Sequence, residues 1–123
     1  MAGGTNTVLV VDDDASIRLL CRVNLELDGY RVLEAGSVAE ARAALDAGDV
    51  DVVLLDVHVG SDDGLAFLAE LRGERPHLPV ALLTGSSELS GEQEEHADAV
   101  IAKPFPIGDL TATVGRLAAG PGA

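Results

Sequence analysis

Residues 51–64 read DVVLLDVHVGSDDG. The run from Val52 to Leu55 is apolar at every position, with neither the period of a helix nor the alternation of a half-exposed strand. It therefore predicts a strand buried on both faces of a parallel sheet. Asp56 falls where that strand stops, and open α/β sheets bind ligands in the crevice beyond the carboxyl ends of their strands. Gly60, Ser61, Asp62, Asp63 and Gly64 are turn formers that hand the chain to a helix. An aspartate closing a strand also serves as a turn former or helix cap, so its meaning depends on what else reaches the same edge.

Four more strands are predicted, three of them on all-apolar runs. Val8 to Val11 is all apolar and ends in Asp12-Asp13-Asp14, with Asp14 placed to cap a helix over Ala15 to Leu27 whose apolar face holds Ile17, Leu20, Cys21 and Leu25. Asp28-Gly29 ends it. Tyr30 to Ala35 is a strand with Val32 inward, and Ser37 to Glu40 is a capping box opening a helix through Ala47, with Gly48 beyond. Leu65, Leu68 and Leu71 mark a helix that stops near Gly73; Val80 to Leu83 is a strand ending at Thr84-Gly85. Ser86 to His96, rich in glutamate and serine and broken by Gly91, predicts a short or frayed fourth helix. Ala99 to Ala102 is the fifth strand, and a last helix over Ile107 to Ala118 keeps Leu110, Val114 and Leu117 on one face. Five strands alternating with five helical segments predict a doubly wound α/β fold with a parallel sheet and right-handed crossovers.

The chain has 123 residues, enough for one domain with a proper core, which we delimit as residues 8–118 between a flexible leader (1–7) and a tail or linker stump (119–123). Acidic residues outnumber basic ones 21 to 8 for a net charge of −13, which argues against direct binding to nucleic acid or an anionic membrane. The single Cys21 excludes an internal disulfide. With no signal peptide or membrane-spanning run in this sequence, a cytoplasmic protein is expected. Lys103 is the one lysine among eight basic residues, and lysine and arginine are not interchangeable at a site.

Asp12, Asp13, Asp56, Thr84 and Lys103 all lie at or just after the carboxyl end of a predicted strand. Strand ends in such a sheet converge on one edge, so these residues are expected to be neighbours. Three carboxylates in one crevice repel each other unless a cation intervenes. Magnesium, a hard ion held by one or two carboxylates together with water and phosphate, suits Asp13 and Asp56 as direct ligands and Asp12 through water; ligand type alone leaves calcium open. A carboxylate, an ammonium, a hydroxyl and magnesium together suit phosphoryl transfer, with Asp56 as nucleophile.

The motifs VLVVDDDASIR, VVLLDVHVGSDDG, VALLTG and IAKPF resemble those of the response-regulator receiver domains of two-component systems, from Val8 to about Leu117. The resemblance implies a flavodoxin-like sheet in order 2-1-3-4-5 and Asp12 and Asp13 as the acidic pair. It also implies Asp56 as acceptor of phosphate from a histidine kinase or phosphotransfer protein, and the His58 backbone carbonyl as a further metal ligand. Thr84 and Lys103 would be the switch hydroxyl and the phosphate-sensing lysine, the Lys103–Pro104 bond would be cis, and a downstream protein or linked effector domain would read the phosphorylated state.

The sequence departs from that family at Val59-Gly60, where Met-Pro is common, which predicts a more flexible loop, and at Val100, where an aromatic ring usually relays the signal. Two other readings follow. One is a phosphate-independent pseudo-receiver; the other is a magnesium phosphohydrolase, which typically wants an acid two residues after the nucleophile, where this chain has His58.

Overall fold

The structure, a computed structural model, describes residues 6–85 and 97–119. The predicted fourth helix over Ser86 to His96, most of the leader and most of the tail lie outside the described residues.

Five strands form one parallel sheet: β1 (Thr7–Val11), β2 (Arg31–Ala35), β3 (Val52–Asp56), β6 (Val80–Thr84) and β7 (Ala99–Ala102). Their order is β2-β1-β3-β6-β7, with every neighbouring pair parallel. Numbering the main-sheet strands alone, this is the expected 2-1-3-4-5. The missing numbers belong to an element that the sequence reading treated only as a turn. His58–Val59 (β4) and Asp62–Asp63 (β5) pair antiparallel across Gly60-Ser61, with Gly60 at φ +63°, the left-handed backbone that a two-residue hairpin turn requires and glycine adopts freely.

Among the described residues there are four helices: α1 (Ala15–Leu27), α2 (Val38–Ala47), α3 (Gly64–Glu74) and α4 (Ile107–Ala119). Three begin on side-chain caps. Asp14 accepts from the Ser16 N–H, Ser37 from the Glu40 N–H, and Asp63 from the N–H groups of Leu65 and Ala66. The Glu40 side chain returns the bond to the Gly36 N–H (2.8 Å), one residue before the cap.

The all-apolar strands make two cores, because successive side chains point to opposite faces. On one face Leu9, Val11, Val53, Leu55 and Leu82 pack with Ala41 and Leu45 of α2 and Phe67, Leu68 and Leu71 of α3. On the other, Val8, Val10, Val52, Leu54, Ala81, Leu83 and Ile101 pack with Cys21 and Leu25 of α1 and Leu110 and Val114 of α4. Leu20 does not join them. It is 41% exposed, as are Leu19 (52%) and Val23 (46%) to a similar degree, because α1 meets the sheet through Cys21 and Leu25 and its apolar residues spread over more than one face.

Acids at the amino ends of strands are structural. Asp51 accepts from the Thr7 N–H (2.7 Å), and Asp98 accepts from the Val80 N–H (2.8 Å) and from Arg72 (2.5 Å). Each ties the start of its own strand to a neighbour.

Candidate functional site

At the carboxyl ends of the strands the acids have a different environment. Asp12 follows β1 with no exposed surface; its N–H donates to the Ala35 carbonyl, and its Oδ1 accepts from the Asp14 N–H at 2.9 Å. Asp56 closes β3, two strand-widths from β2, and its Oδ1 accepts from the His58 N–H at 3.4 Å. Asp13 is exposed on the loop between β1 and α1. One ligand oxygen from each of Asp12, Asp13 and Asp56 lies within 4.8 Å of the others.

Lys103 follows β7 and reaches across the edge. Its Nζ is 2.8 Å from Asp12 Oδ2 and 3.3 Å from Asp56 Oδ2. Its backbone N–H donates to the Thr84 carbonyl (2.7 Å), and the Lys103–Pro104 bond is cis. Thr84, 6% exposed, ends β6 beside β3, and its hydroxyl donates to the Gly85 carbonyl at 2.8 Å. The structure thus brings Asp12, Asp13, Asp56 and Lys103 into one group, with Thr84 on the adjoining strand end. The His58 side chain is exposed.

The charges are unequal. Burial, then the Asp12 carboxylate, push the Asp56 carboxyl above its ordinary 3.8 against the pull of Lys103 and of the His58 N–H. Burial opposes the Lys103 ammonium, yet its contacts with Asp12 and then Asp56 raise it above its ordinary 10.5. The ammonium's shorter bond goes to Asp12, so Asp56 is the less compensated acid of the two. Linkage follows from these directions. Lys103 contributes stability that is complete below 10.5 and lost as pH rises through its folded value. Asp56 works in the opposite sense: stability falls as pH rises from 3.8 through its own raised value.

Replacing Lys103 by methionine is expected to cost about 2–3 kcal/mol at neutral pH, because it leaves the buried Asp12 carboxylate facing Asp56 without a counter-charge. Urea unfolding at neutral and mildly acidic pH checks this. The deficit should shrink in acid as Asp56 takes up a proton, and a pH-independent deficit would contradict the assignment.

The donor set fits a hard divalent cation. Three carboxylates against one ammonium leave two negative charges uncompensated, all the donors are oxygens, and octahedral magnesium needs ligand oxygens about 3–4 Å apart. The three oxygens observed, all within 4.8 Å of one another, lie near that spacing.

Two residues escaped the sequence reading. Gly64 opens α3 directly under the end of β3; a Cβ there would lie 2.1 Å from the Asp56 carbonyl oxygen and 2.7 Å from that of Val57. Nothing local in the sequence distinguishes this glycine from a turn former. Arg18 closes the motif DDDASIR, and its Nη1 donates to the Asp12 carbonyl at 2.7 Å. Its position on the fourth residue of α1, one turn past the acids, was the available signal.

A doubly wound parallel sheet carrying an acidic cluster and a lysine at its carboxyl edge defines a flavodoxin-like class of domain, with its charged groups gathered where such sheets bind ligands. The family model of the response regulator receiver domain matches residues 8–115, and the chain belongs to that family, the receivers of two-component systems. It is similar to the KDP operon transcriptional regulatory protein KdpE of Escherichia coli K12, 35% identical over 108 residues that cover 85% of this chain and 48% of KdpE. It is 34% identical to 116 residues of the sensor kinase CckA of Brucella abortus, covering 90% of this chain and 12% of CckA. Among solved structures it resembles the response regulator TrrA of Thermotoga maritima in complex with Mg(2+)-BeF. That match has a TM-score of 0.85 and 31% identity, and covers 92% of this chain and 99% of that one. The chain spans about half the length of KdpE or less of the other relative. No helix among the described residues is long and apolar enough to cross a membrane.

Proposed function

We propose that residues 8–118 act as the phosphoacceptor of a phosphorelay, with Asp56 taking the phosphoryl group. The observation that carries the reading is the bond pattern of Lys103: it spans Asp12 and Asp56 while sitting closer to Asp12, which leaves the Asp56 carboxylate the freer nucleophile in the same pocket. A carboxylate oxygen of Asp56 attacks phosphorus as the bond to the donor breaks, forming an acyl phosphate. The Lys103 ammonium then pairs with a phosphoryl oxygen, and the Thr84 hydroxyl, at the adjoining strand end, serves as a further donor. Asp12, Asp13, Asp56 and the His58 carbonyl would hold magnesium, which neutralises charge on the phosphoryl oxygens when bound.

The domain is a signalling module rather than an enzyme with turnover, its own slow dephosphorylation aside. The donor is a histidine kinase or phosphotransfer protein, and a cytoplasmic setting follows from those partners. Output goes through a separate protein or a linked effector domain, as the greater length of KdpE and CckA suggests. Val100, 40% exposed on edge strand β7, offers no ring to relay the change, so the readout follows another route than the usual aromatic one.

Incubation with acetyl phosphate, with magnesium and with a chelator in excess, followed by intact mass, tests the reading. A gain of one phosphoryl group is expected with magnesium and none with the chelator. Equal gains in both arms would remove the metal from the scheme, and none in either would remove the phosphoacceptor.

A further inference from the structure

The acid pair is held by more than its own loop. Arg18 lies in the second half of the first turn and a half of α1, with its side chain 20% exposed, and its guanidinium makes two different bonds. Nη1 donates to the Asp12 carbonyl oxygen (2.7 Å) and Nε to Glu34 Oε1 (3.2 Å). The other oxygen of Glu34 is held by Arg22 Nη1 at 2.9 Å. The guanidinium also fills space that a side chain would need, since a Cβ on Gly36 would sit 3.1 Å from Arg18 Nη1. That glycine lies at the turn from β2 into α2, so Arg18 is wedged between three segments: the end of β1, the end of β2 and its own helix.

The Asp12 carbonyl belongs to the peptide joining Asp12 to Asp13. Its plane sets the direction in which Asp13 leaves the strand. Asp12 itself is fixed through its N–H to Ala35 and its side chain to Asp14 and Lys103, whereas Asp13, being exposed, draws its placement from the backbone alone among the bonds described. We infer that Arg18 is a positioning residue for the divalent cation: by fixing the 12–13 peptide plane it aims the Asp13 carboxylate into the pocket shared with Asp12 and Asp56. The inference rests on the metal reading proposed above and adds to it a residue that touches neither metal nor phosphate.

Charge and geometry make opposite forecasts here. Arg18 is a cation near a cation site, so its charge alone works against a divalent ion, and its removal should tighten magnesium binding. Loss of a bond that orients a ligand should weaken binding by roughly 10- to 100-fold. Calorimetric titration of the whole chain with magnesium, on the native protein, Arg18→Ala, Arg18→Lys and Arg22→Ala, separates the two, with thermal unfolding measured on each. We expect Arg18→Ala to weaken magnesium binding at least tenfold. Arg18→Lys, which keeps the charge and can reach one acceptor, should fall between it and the native chain. Arg22→Ala, which loses a bond to Glu34 and none to Asp12, should bind within about twofold of native whatever its melting temperature.

Should Arg18→Ala not fold, the lysine variant carries the test: weaker binding than native supports positioning, and equal or tighter binding overturns it. Equal or tighter binding by a folded Arg18→Ala overturns the inference while leaving the phosphoacceptor reading intact. A native chain that takes up no magnesium overturns the metal reading and this inference with it.

Discussion

Asp56→Asn will take up no phosphoryl group under conditions in which the native chain is phosphorylated, and it will be the more stable protein of the two. The first half follows from chemistry. Asparagine has the shape of aspartate and keeps one acceptor oxygen, enough for the His58 N–H, but that amide oxygen is not a competent nucleophile toward phosphorus, so intact mass after exposure to magnesium and acetyl phosphate should show the unmodified chain alone. The second half follows from electrostatics. Burial and the Asp12 carboxylate both disfavour the charged form of Asp56, outweighing Lys103, so an uncharged isostere relieves a strain present in the native fold. Lys103 keeps its shorter bond to Asp12 in the variant. A gain on the order of 1 kcal/mol at neutral pH is expected, the usual sign when a site residue is traded for stability. The gain should diminish in acid, where Asp56 is protonated in the native chain as well. A phosphorylated Asp56→Asn chain would move the acceptor to another acid. A less stable one would mean that the Lys103–Asp56 contact dominates.

Gly64→Ala should be the most damaging single-methyl change in the described chain. A Cβ cannot sit 2.1 Å from the Asp56 carbonyl oxygen and 2.7 Å from that of Val57, and both obstacles are backbone, which no rotamer change can move. Either α3 retreats from the end of β3 or the Asp56–Val57 segment is displaced; the bond from the Gly64 N–H to the Val57 carbonyl (2.8 Å) is lost in both cases. We expect a loss of about 3–4 kcal/mol by urea unfolding, together with slower phosphoryl uptake because Asp56 is carried on the displaced segment. Gly73→Ala supplies the contrast. Its Cβ would meet nothing within 4 Å, so in the same helix it should stabilise by about 0.5–1 kcal/mol. If the two variants behave alike, the packing of α3 against the end of β3 is looser than described.

These two expectations also divide what could be read along the chain from what could not. Strands were legible because a sheet covered on both faces demands apolar residues at every position, and Val8 to Val11, Val52 to Leu55 and Val80 to Leu83 supply them. Helix starts were legible because Asp14 and Ser37 are residues whose side chains satisfy free N–H groups. Convergence of Asp12, Asp56 and Lys103 followed from topology, since parallel strands deliver their carboxyl ends to one edge. The ribbon of β4 and β5 was not legible, because two residues per strand are too few to establish a period. Neither was the exposure of Leu20. Leucine at that spacing is compatible with either of two faces of α1, and only the packing against the sheet chooses. Gly64 and Arg18 act across gaps in sequence, and the clamps of Asp51 and Asp98 look the same on paper as any acid beside a strand.

Cys21 shows how far the influence of the pocket extends. The thiol is fully buried under α1 against Val8 and Val10, and burial, with a contribution from Asp12 that Lys103 partly offsets, pushes it up to about 11. The chain's one thiol is therefore closed to alkylating reagents twice over, by access and by protonation. Any modification of it must wait until α1 lifts from the sheet. The sulfur is a built-in clock for that opening, mounted on the helix that also carries Arg18.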